Sequence, residues 1–157
     1  TLKGKDNAKL GSIGAWDEPQ RYGSLDDLGR WPAQGELLRE KKILYHITEQ
    51  RKLKTVHGAT RPVLAKFSVS NDFMQLGEYV LPVGGVVCRH SEPLSHPGQS
   101  VLIGLDGVMT VYLTQKRETY RIARYEGLYL PEGTEYELIN YETHSARCLF
   151  TVEGPSF

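Results

Sequence analysis

The sequence is short of several features that would define other classes of protein. No apolar run approaches the ~18 residues that a membrane-spanning helix needs. There are only two cysteines, Cys88 and Cys148, which is too few for a disulfide framework. Nineteen Lys and Arg balance nineteen Asp and Glu, so the chain lacks the excess positive charge that nucleic-acid-binding surfaces concentrate. We therefore expect neither a membrane nor a nucleic acid as a partner.

Helical periodicity is also scarce, and there is no internal repeat. The first residues, Thr1 to Asp6, form no signal-peptide pattern, and we expect a cytoplasmic protein. At 157 residues the chain fits one domain that can bury a core of its own.

Residues 1–40 differ from the rest, since they carry Trp16 and Trp31 but no alternating pattern. Residues 24–27, Ser-Leu-Asp-Asp, predict one helical turn because they resemble a capping box. We interpret residues 1–40 as an arm whose aromatic side chains need a surface to pack on. We expect a homodimer in which this arm, or the first strand, lies across the sheet of a partner.

From residue 42 onward the pattern indicates β-strands. Short segments rich in Val, Ile, Tyr and Leu alternate with turn residues, and Asp106-Gly107 is a strong hairpin marker. The predicted strands are residues 43–48, 62–68, 75–81, 86–92, 100–105, 108–114, 119–124, 127–130, 136–141 and 146–153. About ten short strands with so little helix favour a sandwich or a barrel.

Two motifs marked by glycine and proline lie about forty residues apart. The first contains Gly84-Gly85-Val-Val-Cys88-Arg-His90-Ser-Glu92, and the second is Pro131-Glu-Gly133-Thr-Glu-Tyr136-Glu-Leu-Ile-Asn140. Together they resemble the paired signature of the cupin superfamily, whose members are small antiparallel β-barrels. That signature is a glycine, five residues, His-x-His, three or four residues and Glu, followed later by Pro-x-Gly-x-x-His-x-x-x-Asn.

The resemblance is close in spacing and incomplete in the metal-binding positions. Glu92 stands where the second His is usual, and Tyr136 stands where the last His is usual. The resemblance implies an all-β fold, a cupin-like antiparallel β-barrel (a double-stranded β-helix or jelly roll), formed by residues 41–157 behind the arm of residues 1–40.

Strand alternation places Cys88, His90 and Glu92 on one face of their strand. With His96 from the following loop, the set offers two imidazoles and one carboxylate, which suit Fe²⁺, Mn²⁺, Zn²⁺ or Ni²⁺. We therefore predict a divalent transition metal bound by His90, Glu92 and His96.

One alternative leaves this metal site incomplete. His96 precedes Pro97-Gly98, a sequence typical of an exposed loop, and the family's Glu position then falls at Gln99 or Ser100. Several cupins bind no metal and use the barrel as a dry pocket.

Tyr136, Leu138 and Asn140 should share one face of the second motif's strand. A phenol with a pKa near ~10 is a poor metal ligand, but it can act as a hydrogen-bond donor or general acid. We name Tyr136 as the candidate catalytic residue, with a core aromatic whose hydroxyl is satisfied by a neighbour as the alternative.

Two functions follow from these residues. The first is a small-molecule enzyme with its active site inside the barrel, metal-assisted, with dioxygenase, isomerase or lyase chemistry on a small organic acid or ring compound. The second is a metal-free cupin that serves as a small-molecule binding or regulatory module.

Overall fold

The computed structural model describes residues 31–32, 34–57, 63–87 and 93–154. These residues form one short helix, one turn of 3₁₀ helix at Glu49–Arg51 and ten strands. The helix is α1 (Gly35–Glu40), and the strands are β1 (Leu53–His57), β2 (Val63–Ser70), β3 (Met74–Leu81), β4 (Val86–Val87), β5 (Ser100–Asp106), β6 (Met109–Leu113), β7 (Glu118–Ile122), β8 (Gly127–Leu130), β9 (Tyr136–Ile139) and β10 (Ala146–Glu153).

The strands form two sheets. Six strands follow the order β1-β2-β3-β10-β5-β8, and four follow the order β4-β9-β6-β7. The strand ladders within both sheets are antiparallel. This arrangement confirms the predicted all-β antiparallel barrel.

Alternation along the strands directs one side of each sheet into a shared core. In β10 every second residue is buried, namely Ala146, Cys148, Phe150 and Val152. The ring of Tyr79 stacks on that of Phe150 with centroids 4.3 Å apart, and Phe67 meets Phe150 edge-on at 5.5 Å. Three aromatic rings therefore fill the interior beside the six-stranded sheet.

Apart from the strand predicted at residues 86–92, the predicted strands from residue 62 onward overlap the observed ones, and residues 127–130 and 146–153 match to the residue. The predicted strand at residues 43–48 is wrong, because those residues form coil and the first strand begins at Leu53. A strand needs a neighbour to pair with, and the free edge of β2 is taken by β1, whose pairing begins at Leu53. Residues 43–48 are therefore left without a partner strand among the described residues. Residues 86–92 extend past Val87 into a part of the chain outside the described residues.

The chain enters the described structure at Trp31, which is tied to the barrel. Its backbone N–H donates to Ser70 O and its carbonyl accepts from Ser70 N, both at 2.7 Å. Its indole Nε1 donates to Arg51 O at 3.0 Å. The helical turn predicted at residues 24–27 lies outside the described residues, and the division of the chain at residue 40 stays a prediction. Within the described ranges, no helix is both long and apolar enough to cross a membrane.

Candidate functional site

Tyr136 opens β9 and points into the barrel. It is 1% exposed, and Leu138 and Asn140 on the same face are fully buried. The predicted common face of these three residues is confirmed.

His96 lies on the segment between β4 and β5, and hydrogen bonds fix this segment against the second motif. Leu94 and Tyr136 exchange two backbone hydrogen bonds, at 2.7 and 2.9 Å. The carbonyl of His96 accepts from Gly133 N at 2.8 Å. His96 is only 6% exposed, so the interpretation of this residue as part of an exposed loop is wrong.

These two residues meet inside the barrel. The Nε2 atom of His96 lies 2.9 Å from the phenolic oxygen of Tyr136. Burial raises the pKa of Tyr136 well above its usual value, and the nearby Cys148 adds to the rise. A phenol held neutral in this way donates its hydrogen to Nε2 when the imidazole carries its proton on Nδ1, and accepts one from Nε2 when the proton is there.

Two further buried groups stand near this pair. Cys148 of β10 is fully buried, and its pKa is raised to about 12, mainly by burial. Burial also raises the pKa of Tyr79, with smaller contributions from Tyr136 and Cys148. Sequence reasoning did not single out Tyr79 or assign Cys148 to the site, although alternation along β3 and β10 directs both side chains inward. The side chains of Tyr79, Tyr136 and Cys148 are therefore neutral at physiological pH.

Asn140 has a structural role in holding the two motifs together. Its Nδ2 atom donates to Leu81 O, Pro82 O and His144 O at 3.1, 3.2 and 2.8 Å. Its backbone N–H donates to Gly85 O at 3.0 Å, and its carbonyl accepts from Gly84 N at 2.9 Å. The glycines of the first motif and the asparagine of the second are thus bonded directly to each other.

Of the predicted metal ligands, only His96 belongs to the described residues, since His90 and Glu92 lie outside them together with Cys88. The alternative third ligand, Gln99, has its side chain on the outer surface, where Nε2 donates to Glu153 at 2.9 Å. It lines an open groove of about 320 Å³ outside the six-stranded sheet.

The described residues do not by themselves suit a metal ion. No three His, Cys, Asp or Glu side chains among them converge to ligand distance. The Nε2 atom of His96 is engaged by Tyr136, and a phenol that stays protonated is a poor ligand. A metal at this place would depend on His90 and Glu92, and it stays a prediction.

Solved cupins resemble this molecule in structure. An RmlC-like cupin from Shewanella frigidimarina matches with a TM-score of 0.55 at 8% identity, over 71% of this chain and 92% of that one. The polyketide cyclase RemF from Streptomyces resistomycificus matches with a TM-score of 0.53 at 16% identity, over 70% and 78%. The cupin domain of an XRE family transcriptional regulator from Enterobacter cloacae matches with a TM-score of 0.51 at 11% identity, over 59% and 97%.

No family model matches the sequence, and no curated protein does. The structural likenesses are all at low identity and show the fold. The chain has the cupin fold, as its two motifs predicted.

Cys148 should be inert in the native protein. A thiol whose pKa is raised to about 12 is almost entirely protonated at pH 8, and only the thiolate reacts. The Cys148 side chain is also fully buried. In a Cys88→Ser background, we expect labelling by iodoacetamide at pH 8 to be at least about 100-fold slower in the native than in the urea-unfolded protein. Equal rates in the two states would place Cys148 at an accessible surface.

Proposed function

We propose that this protein is a small-molecule enzyme in which His96 and Tyr136 form an acid–base pair inside the cupin barrel. The observation that carries the proposal is the 2.9 Å contact between His96 Nε2 and the Tyr136 hydroxyl. The two residues come from segments forty positions apart, and backbone bonds between those segments fix the contact.

Burial of the pair favours a shared proton over separated charges. Tyr136 is 1% exposed and His96 is 6% exposed, so both residues are buried. The raised pKa of Tyr136 makes a free phenolate costly. A phenol that gives its proton to a substrate oxygen must therefore regain one, and Nε2 of His96 can return it once the imidazole has taken a second proton from the substrate or from water. Such positioned proton transfer accelerates reactions by roughly 10²–10⁴-fold.

The chemistry that this pair suits is proton transfer next to a carbonyl or carboxylate, as in an isomerase or lyase. The surrounding groups, Tyr79 and Cys148, are neutral, and Phe150 stacks on Tyr79. These surroundings favour a small, partly apolar organic acid or a ring compound. The structural neighbours include a polyketide cyclase, which is in keeping with a ring compound.

A metal-free binding module is the second candidate. The observation that favours it is that burial raises the pKa of Tyr79, Tyr136 and Cys148 together, which leaves a neutral and closely packed set of groups. Such a set can recognise a ligand without transforming it. A cupin domain of a transcriptional regulator is among the structural neighbours.

Tyr136→Phe tests the enzyme proposal. A panel of small aliphatic and aromatic carboxylic acids, 2-oxo acids and phenols is incubated with the protein in D₂O. Proton NMR then detects turnover or exchange of carbon-bound hydrogen. We expect the rate on any active compound to fall about tenfold or more in the variant, because a hydrogen bond to a developing charge is worth roughly 1.5–3 kcal/mol.

Tyr120→Phe is the matched control, because it removes a hydroxyl that bonds the exposed Glu118 on β7. Its rate should equal that of the parent. Ligand-induced stabilisation without exchange or turnover in the parent would favour the binding module. A Tyr136→Phe protein with an unchanged rate would show that the phenol only fills space.

The metal prediction is tested separately by elemental analysis of protein purified without chelator. His90→Ala and Glu92→Gln should each remove most of any bound transition metal while the circular dichroism spectrum stays unchanged. Glu132→Gln, an exposed carboxylate at the turn before β9, is the control and should keep its metal. A parent without metal would leave the acid–base pair to work alone, and unchanged metal in both variants would move the ion elsewhere.

A further inference from the structure

Helix α1 and the residues that follow it present an apolar patch to solvent, which consists of Leu37, Ile43 and Leu44. These side chains are 48%, 52% and 96% exposed. A leucine that is almost completely exposed beside two half-exposed aliphatic neighbours marks a surface for a partner rather than scattered apolar residues.

The fold holds this patch in place. After α1 the chain turns at Lys42, whose φ of 54° is unusual for a residue with a side chain. Ile43 N then donates to Leu38 O at 2.9 Å, which ties the turn back to the helix. Further along, Arg51 donates to His46 O at 2.9 Å. The exposure of Leu44 is therefore built into a hydrogen-bonded turn.

The patch lies in a segment with a net positive charge. Residues 36–54 carry six basic side chains against three acidic ones: Arg39, Lys41, Lys42, Arg51, Lys52 and Lys54 against Glu36, Glu40 and Glu49. Glu49 forms ion pairs with Lys66, Lys52 and Lys54 at 2.7, 2.9 and 3.8 Å, and hydrogen bonds from Lys66 and Lys52 lower its pKa to about 2. Among the described residues, Lys41 and Lys42 form no ion pair, and they flank the patch.

A segment of the same chain has the complementary composition. Residues 16–28 carry four acidic side chains and one basic one, together with four large apolar ones. The acidic residues are Asp17, Glu18, Asp26 and Asp27, the basic one is Arg21, and the apolar ones are Trp16, Tyr22, Leu25 and Leu28.

The position of this segment along the chain makes docking favourable. The segment ends three residues before Trp31, which is bonded to Ser70 and to Arg51. A tether this short holds a segment near its target at an effective concentration of the order of millimolar. Two or three extended residues span roughly 10 Å, and the thirteen residues of the segment can cover the patch and the lysines beside it.

We infer that residues 16–28 dock on the patch of Leu37, Ile43 and Leu44, with their carboxylates against Lys41 and Lys42. The arm thereby covers the most exposed leucine that the structure describes. This contact is within one chain, and it is independent of the chemistry in the barrel.

Hydrogen-exchange mass spectrometry of the full chain tests the inference. In the parent we expect peptides within residues 16–28 to exchange more slowly than an unstructured peptide. The Lys41→Glu/Lys42→Glu variant should speed this exchange about tenfold, because it turns the attraction between the two lysines and the carboxylates of the segment into repulsion. The matched control is Lys116→Glu/Arg117→Glu in the exposed β6–β7 turn, which should leave the exchange unchanged.

A charge swap makes the result specific to the pairing. Asp26→Lys/Asp27→Lys added to the Lys41→Glu/Lys42→Glu variant should restore the slow exchange, which a variant that had merely lost its fold could not do. Exchange at the unstructured rate in the parent would overturn the inference. Slow exchange that disappears on dilution would also overturn it, and would assign the patch to the arm of a second copy.

Discussion

Gly104→Ala should destabilise the protein by at least about 3 kcal/mol, a large part of the 5–15 kcal/mol that typically holds a domain folded. A Cβ atom at Gly104 would lie 2.1 Å from Ala123 O, which is main chain and cannot rotate away. The turn between β7 and β8 is bonded at this place, because Gly104 N donates to Glu126 O at 2.9 Å and Tyr125 N donates to Gly104 O at 2.8 Å. The urea midpoint, followed by circular dichroism, measures the loss.

Gly127→Ala is the matched control for this prediction. It makes the same change on β8, the strand paired with β5, where the new Cβ would lie 3.4 Å from Leu102 O, an ordinary contact. Its free energy of unfolding should change by less than about 1 kcal/mol. Equal losses in the free energy of unfolding for the two substitutions would mean that the close approach of Ala123 O to Gly104 does not cause the destabilisation.

Asn140→Asp should cause a large loss of stability at neutral pH. The substitution replaces the Nδ2 group, which donates to Leu81 O, Pro82 O and His144 O, by an oxygen that faces the same three carbonyls. Removing one buried partner costs roughly 1–3 kcal/mol, and a buried charge costs more. We therefore expect Asn140→Asp to lose more stability at pH 7 than Asn140→Ala, which we expect to lose about 2–4 kcal/mol.

The pH dependence distinguishes charge from packing. The carbonyls penalise the ionised form, so the introduced carboxyl has a higher pKa in the folded state than its unfolded value near ~3.9. Its neutral form is therefore the better tolerated, and the stability of the variant should fall as pH rises through the folded pKa and recover on acidification. Urea midpoints between pH 4 and 8, relative to the parent, test this.

Asn71→Asp is the control, because it also replaces a side-chain NH₂ group by an oxygen. Asn71 uses its Oδ1 atom to accept from Phe73 N and Met74 N at 2.8 and 2.9 Å, and a carboxylate oxygen can accept both bonds. This variant should stay close to the parent at pH 7. A flat pH profile for Asn140→Asp would show that the amide group donates no bond essential to the fold.

The sequence predicted the strands best where one face is buried. From Val63 onward, alternation between apolar and polar residues reports which side faces the core. Leu53–His57 was missed because Lys54 and its basic neighbours hide the pattern. Residues 43–48 have the composition of a strand but no partner strand, and composition cannot report on pairing between distant segments.

The site could be predicted only in part. Alternation from Tyr136 to Asn140 was enough to direct Tyr136 inward. Its contact with His96 depends on the bridge between Leu94 and Tyr136, which spans forty-two residues and leaves no local pattern. Gly98 is packed, since a Cβ there would lie 2.0 Å from Glu153 O, but in the sequence Pro97-Gly98 has the composition of an exposed turn. His90 and Glu92, the other predicted ligands, lie outside the described residues.

The strand order has a consequence for how the chain folds during synthesis. β10 lies between β3 and β5 in the larger sheet, yet it follows the other nine strands of the described residues along the chain. The halves β1-β2-β3 and β5-β8 therefore cannot join until residues 146–153 have left the ribosome, and the earlier strands must wait with open edges. Such non-local pairing is slow and prone to aggregation, so we expect the nascent chain to depend on chaperones until β10 is inserted.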